Sequence, residues 1–159
     1  MALACIKIEP PGKVPGGLRF EPLHVSPTGV IVSRSHRFAE RRRVTRKEIA
    51  SEPLAIYSRR DYPDYQKLLR SALGVPAGKL RVVEECEGAF SPITAIEASR
   101  AVAVSARSIL SVTGTRIVLI PLHPPPPTLK VGVCFPHAGE VPTAVNQFIG
   151  TARRVINQL

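Results

Sequence analysis

The sequence has no tryptophan, and aromatic residues make up only 5% of it. A face of stacked aromatics for single-stranded nucleic acid is therefore not expected. No apolar run approaches the length needed to span a bilayer, so no membrane partner is expected. The N-terminal Met-Ala-Leu-Ala-Cys-Ile-Lys-Ile-Glu becomes charged too soon for a secretory signal. There are three cysteines, Cys5, Cys86 and Cys134, widely spaced and odd in number. They make neither a disulfide framework nor a metal pattern, which points to a reducing, cytoplasmic setting. The four histidines, His24, His36, His123 and His137, have no ligand spacing with one another or with cysteine. No nucleophile elbow, zinc-protease helix motif or glycine-rich phosphate loop occurs, so no cofactor, metal or catalytic site is expected. No internal repeat is visible.

What is present is a chain of 159 residues, 44% hydrophobic and 21% charged, enough for one ordinary domain or two small lobes. Its net charge of +10 is unevenly placed. Between Arg34 and Lys47 lie seven basic residues and one acid, which is six of those ten net charges. The segment is read as a solvated connection and helix face. The alternative is a basic nucleic-acid-associated protein using Arg34–Lys47.

Read in order, 2–8 (ALACIKI) is a buried-strand candidate, followed by a Pro/Gly loop over 10–17. Leu18–Leu23 alternates as an edge strand ending at Pro22, and Val25–Ser33 is another strand. Thr45-Arg46-Lys47-Glu48 is a capping box opening a short helix that stops near Ser51, before Pro53. Leu54–Tyr57 is a strand. Pro63 then starts a helix with an apolar stripe at Tyr65, Leu68, Leu69, Ala72 and Leu73, capped by Gly74.

The most informative stretch is Arg81–Ser105, read as strand, acidic turn, helix and strand. Val82 and Val83 precede Glu84, Glu85 and Glu87; Gly88 permits a turn; Ile93, Ile96 and Ala101 have helical spacing. Ser105 is a cap candidate for a short helix ended by Gly114. Arg116–Leu122 and Leu129–Phe135 are strands, joined by a stiff His123–Pro127 connection. A C-terminal amphipathic helix with Pro142 in its first turn completes an α/β pattern with mainly parallel pairing.

In such a sheet, ligands sit beyond the carboxyl ends of the strands, where helix N-termini present free N–H groups. Two loops qualify, Ser58–Tyr62 and Cys86–Ser91. Arg59, Arg60 and the helix start at Pro63 suit a small carboxylate-type ligand, and Glu85 and Ser91 can hydrogen-bond its polar groups. The carboxylates Glu85 and Glu87 can share a strand face, but without an acid, base or metal partner they make a weak catalytic pair.

Five segments in order carry a family resemblance: GLRFEPL, SHRFAERRRVTRKEIASEPL, YPDYQKLLRSAL, EECEGAFSPITAIEASRAVAVSARSIL and RIVLIPL. Together they resemble the effector-binding domain of LysR-type transcriptional regulators over nearly the whole chain. The resemblance implies a periplasmic-binding-protein-like (type 2) α/β fold with effector held between lobes, here one complete lobe plus part of the second; the apolar surface that an incomplete lobe exposes predicts self-association through the domain. It implies effector contacts at Tyr62-Pro63 and Glu85. On this reading 1–22 is part of the first lobe, 23–115 the second, and 116–159 the return to the first. Ser99 and Ala101 replace two glycines of the family pattern, which is expected to cost stability if the first marks a left-handed helix end. The winged helix-turn-helix has no counterpart here, so direct sequence-specific DNA binding by this chain is not expected.

Overall fold

The computed structural model describes residues 5–9, 17–88, 91–139 and 141–156. Along the chain run β1 (Cys5–Glu9), β2 (Leu18–Ser26), β3 (Thr28–Ser33), β4 (Val44–Thr45), α1 (Arg46–Ala50), β5 (Leu54–Tyr57) and α2 (Pro63–Leu73). They are followed by β6 (Val82–Cys86), α3 (Ser91–Ser99), β7 (Ala103–Ala106), α4 (Leu110–Thr113), β8 (Ile117–His123), β9 (Leu129–Pro136) and α5 (Thr143–Ile156). Most of the loop expected at 10–17 lies outside the described residues. The chain divides into two compact units, 27–128 and the two flanking stretches.

The flanking unit is an antiparallel sheet in the order β1-β9-β2. On edge strand β2, Pro22 does not end the strand. It sits at a register shift between Pro22 and His24, where a missing N–H is tolerated. Gly132 of β9 lies under this crossing: a Cβ there would be 2.3 Å from the Glu21 carbonyl oxygen and 2.6 Å from the Phe20 ring. Val145 and Ile149 of α5 pack on Val133 and Phe135, and Arg153 pairs with Glu21. That packing uses the apolar stripe expected of the last helix.

In the central unit β5 and β6 pair in parallel, and Leu54 bridges in parallel to Val102 just before β7. β7 then pairs with β3, β3 with β8, and β8 with β4, so the strands lie side by side as β6-β5-β7-β3-β8-β4. Every residue of β3 is buried, as a central strand covered on both faces requires. Ile31, Ile93, Ile96, Ala103 and Ile117 form the core between sheet and α3. Leu54, Leu69 and Ile96 have no exposed surface, and burial of each such side chain contributes about 1.5–3 kcal/mol.

The local signals fold as the sequence dictates. Thr45 and Glu48 close the capping box reciprocally, with the Thr45 N–H donating to Glu48 Oε2 at 2.7 Å. Pro63 opens α2, and Gly74 ends it in the left-handed region at φ 75.

Further expectations are corrected. Pairing is mainly antiparallel: four of the six ladders among the described residues run that way, because strand–helix alternation governs only the β5–β7 stretch. β8 pairs with β3 inside the central unit, whose bounds are 27 and 128. Val25–Ser33 is not one strand: Pro27 separates β2 from β3. Ser105 lies within β7, and the helical turn starts at Arg107. The left-handed residue near the end of α3 is Arg100, at φ 55.

Candidate functional site

The carboxyl ends of β5 and β6 are the best-built polar surface of the central unit. Buried Ala55, Cys86, Ala95 and Ala101 make a floor, and Tyr57 at the end of β5 packs on it. All three tyrosines of the chain meet here. The Tyr57 ring lies 4.8 Å from Tyr62 and 4.8 Å, edge-on, from Tyr65. The Tyr65 hydroxyl donates to the Val104 carbonyl at 3.0 Å, tying α2 to β7. Burial pushes the Tyr57 phenol up to about 12 and raises Tyr65 as well. Both phenols are therefore neutral near pH 7.

The loop between β5 and α2 is fixed by its own hydrogen bonds. The Ser58 N–H donates to the Cys86 carbonyl at 2.9 Å, which fastens the loop to the end of β6. The Ser58 hydroxyl donates to Asp61 Oδ2 at 2.7 Å and accepts the Asp61 N–H at 3.2 Å. Hydrogen bonds from Arg60 and then Ser58 hold the Asp61 carboxyl below the usual carboxylate range. Burial, with a smaller contribution from Glu84, pushes the Cys86 thiol up, so it stays a neutral thiol.

The sequence-predicted residues divide into two groups. Tyr62 and Pro63 sit beside the tyrosine cluster at the start of α2, and Ser91 begins α3, its N–H donating to the Gly88 carbonyl at 3.2 Å. Arg59 is exposed and has no partner among the described residues. Arg60 is committed differently: it bonds Asp61 and, at 3.1 Å, Glu87, bridging the two loops. Glu84 and Glu85 are not in a turn; they belong to β6. The register sets Glu84 opposite Ala55 and Glu85 opposite Ile56, so Glu85 leaves the face of β6 opposite to that of Cys86.

One residue escaped sequence reading. Thr28 starts β3 beside Ala106, at the same edge of the sheet, and is 7% exposed. Its hydroxyl has no hydrogen-bond partner among the described residues. A threonine in a strand reads as ordinary β-propensity, so only the structure shows the unpaired oxygen. Among the described residues no group of three or more His, Cys, Asp or Glu could hold a metal ion. The arrangement presents aromatic faces, neutral hydroxyl donors and one uncommitted guanidinium. It suits recognition of a small polar molecule.

Comparison with protein-family models matches residues 4–157 to the LysR substrate binding domain. The chain belongs to this family. Among solved structures, it superposes on HinK, a LysR family transcriptional regulator from Pseudomonas aeruginosa. That match has a TM-score of 0.71 and 14% identity, covering 94% of this chain and 51% of HinK. The regulatory domain of CcmR from Synechocystis PCC6803, solved in complex with 2-PG, gives a TM-score of 0.74 at 18% identity, covering 94% of this chain and 71% of that one. A reduced form of OxyR from N. meningitidis gives 0.70 at 20% identity, covering 95% and 69%. The chain thus spans about half the length of HinK. Comparison with curated proteins gives no match.

The LysR-domain fold is of the periplasmic-binding-protein-like type 2 class, as expected. No helix among the described residues is long and apolar enough to cross a membrane. Nothing in the matches favours the nucleic-acid alternative for Arg34–Lys47. Within that segment Phe38 is buried, and Arg34, Arg37 and Arg41 bond to Thr115, Glu52 and Glu48.

Proposed function

We propose that the central unit of this LysR substrate-binding domain holds a small carboxylate-type effector at the carboxyl ends of β5 and β6, without catalysing its conversion. The observation that carries the reading is the gathering of Tyr57, Tyr62 and Tyr65 at the end of β5, with the uncommitted Arg59 in the adjoining loop and the unpaired Thr28 hydroxyl at the same edge of the sheet. Arg59 supplies the charge for a carboxylate, and the positive end of the α2 dipole at Pro63 adds to it. Tyr62 supplies an apolar face, and Thr28 and Ser91 supply hydroxyl contacts. Arg60 holds the two loops together through Glu87, and Glu85 contributes only to the outer rim. The CcmR regulatory domain, solved in complex with 2-PG, supports a small-molecule ligand.

The same reading places the domain in the cytoplasm as a sensing part of a transcriptional regulator. Cys86, buried and outside any disulfide, supports a reducing setting. Self-association is supported by Phe148 and Val155, exposed large apolar residues one heptad apart on α5.

The test is thermal unfolding of the chain against a panel of small aromatic and aliphatic carboxylates. A ligand at about a hundred times its Kd stabilises by about 2.7 kcal/mol, a rise in Tm of roughly 5–11 °C. Arg59→Gln and Thr28→Val are expected to reduce that shift while leaving the ligand-free transition cooperative. A carboxylate that stabilises both variants as much as the parent would overturn the placement.

A further inference from the structure

A cavity of about 320 Å³ lies where β5 begins, at the other end of the sheet from the tyrosines, lined by Ser35, His36, Arg37, Glu52, Pro53 and Arg100. β5 has four residues at about 3.3 Å each, so the two ends of the strand are roughly 10 Å apart. His36 and Glu52 are 7% and 8% exposed, an unusual pair of polar groups to bury in a small domain.

Their hydrogen bonds determine what the cavity presents. His36 Nδ1 accepts the Phe38 N–H at 3.2 Å, so in the neutral ring Nε2 carries the hydrogen. That Nε2 lies 3.8 Å from Glu52 Oε2, and Glu52 Oε1 accepts from Arg37. Glu52 is thereby matched by one guanidinium. Arg37 is also held over the Phe38 ring, its central carbon 4.5 Å from the centroid. Arg100 is left over: it lines the cavity, is exposed and has no partner among the described residues. Its φ of 55 is the single left-handed non-glycine conformation among the described residues. An L-residue reaches that region at a cost in free energy that glycine does not incur. With neutral His36 the cavity has two guanidinium groups against one carboxylate, and more donors than acceptors.

We propose that this cavity is a second ligand site, for a small oxyanion group, either carboxylate or phosphate, received by Arg100 together with the outer N–H groups of Arg37 and Nε2–H of His36. A planar guanidinium fork matches either oxyanion in two parallel hydrogen bonds. The buried His36 donor gives the site a fixed direction that surface arginines alone lack. The site is separate from the tyrosine cluster and stands whether or not an effector binds there.

The experiment is an amide and arginine side-chain ¹H–¹⁵N titration of the full chain, with sodium phosphate and with sodium acetate, against sodium chloride at constant ionic strength. Saturable shifts at Phe38, Arg100 and their neighbours are expected with at least one of the two anions. Which anion saturates decides between phosphate and carboxylate. The informative variant is Arg100→Gly, which removes the guanidinium and relieves the left-handed backbone. A purely structural Arg100 would make this variant as stable as the parent or more so, with the titration unchanged. The proposed role gives the same or higher stability with affinity lowered at least about tenfold. Arg59→Gln is expected to leave these shifts in place. Linear, unsaturated shifts with both anions, saturation confined to Tyr57 and Tyr62, or an unchanged titration in Arg100→Gly would each overturn the proposal.

Discussion

Tyr65→Phe tests whether the tyrosine cluster is a fixed part of the fold. The substitution keeps the ring, and with it the edge-on contact to Tyr57 at 4.8 Å, but deletes the hydroxyl that donates to the Val104 carbonyl at 3.0 Å. Val104 has no exposed surface, so water does not replace the lost donor. A neutral hydrogen bond of this kind contributes about 0.5–1.5 kcal/mol net, and a buried carbonyl left short of a partner costs about 1–3 kcal/mol. The expected loss is about 1–2 kcal/mol. For a chain of this length that corresponds to roughly 2–8 °C in Tm. Urea unfolding should show the loss as a lower midpoint with an unchanged slope, since the surface exposed on unfolding is the same. Tyr62→Phe is the control, because its hydroxyl has no hydrogen bond among the described residues; a change below about 0.5 kcal/mol is expected. Equal stability of Tyr65→Phe and the parent would refute the reasoning. The hydroxyl would then not anchor α2 to β7, and Tyr62 and Pro63 would not be held in place by it.

Gly132→Ala places a methyl group against backbone that cannot rotate away, 2.3 Å from the Glu21 carbonyl oxygen, and should cost at least about 1–3 kcal/mol in chemical denaturation. An alanine variant as stable as the parent would show that β2 is free to shift at its bulge. The pH dependence of Tm carries a further prediction. Burial holds the His36 pKa below its ordinary 6.5, with Arg37 and Arg100 lowering it further and Glu52 opposing them. A histidine whose folded pKa is depressed takes up fewer protons than the unfolded chain. Its stabilising share is therefore complete above about 6.5 and is lost as pH falls through that value towards the folded pKa. A decline in Tm should begin near pH 6.5, well above the carboxylate range where Asp61 protonates, and should be absent in His36→Gln. A flat profile between pH 7 and 5 would remove His36 from that role.

The parts legible in the sequence were those set by local chemistry. The Thr45–Glu48 capping box, Pro63 at the start of α2 and Gly74 at its end depend on neighbours within a turn, and all three fold as read. Strand pairing was not legible in the same way. β8 carries the same apolar character whether it pairs with β3 or returns to the other sheet, and only burial of Ile117 and Ile120 against the central unit decides it. The acidic turn failed for a related reason. Three glutamates near a glycine read as a solvated loop, yet the parallel ladder to β5 continues through Glu84 and Glu85 to Cys86, because one face of β6 remains packed. At the candidate site, residue types such as arginine, tyrosine and helix-opening proline were visible. What could not be seen was which arginine is committed: Arg60 and Arg59 are adjacent and chemically alike, and only Glu87 arriving from another loop separates them.

The two proposed sites follow from one topological fact. In the run β5-α2-β6-α3-β7 all three strands point the same way, so each connecting helix begins at their carboxyl ends and returns to their amino ends. Helix starts, at Pro63 and Ser91, therefore collect at one edge of the sheet, and helix exits, at Glu52-Pro53 and Arg100, collect at the other. The first edge gains two helix N-termini and a loop closed by Ser58. The second gains the charged residues that stop helices and lead into strands. Groups about 10 Å apart with no shared partner behave additively to within about 0.3–0.5 kcal/mol. Arg59→Gln combined with Arg100→Gly should therefore change stability by the sum of the single effects, measured as urea midpoints. A larger coupling would mean that β5 itself shifts between two positions and transmits occupancy from one end to the other. A rigid β5, with Leu54 and Ala55 wholly buried, argues for the additive result.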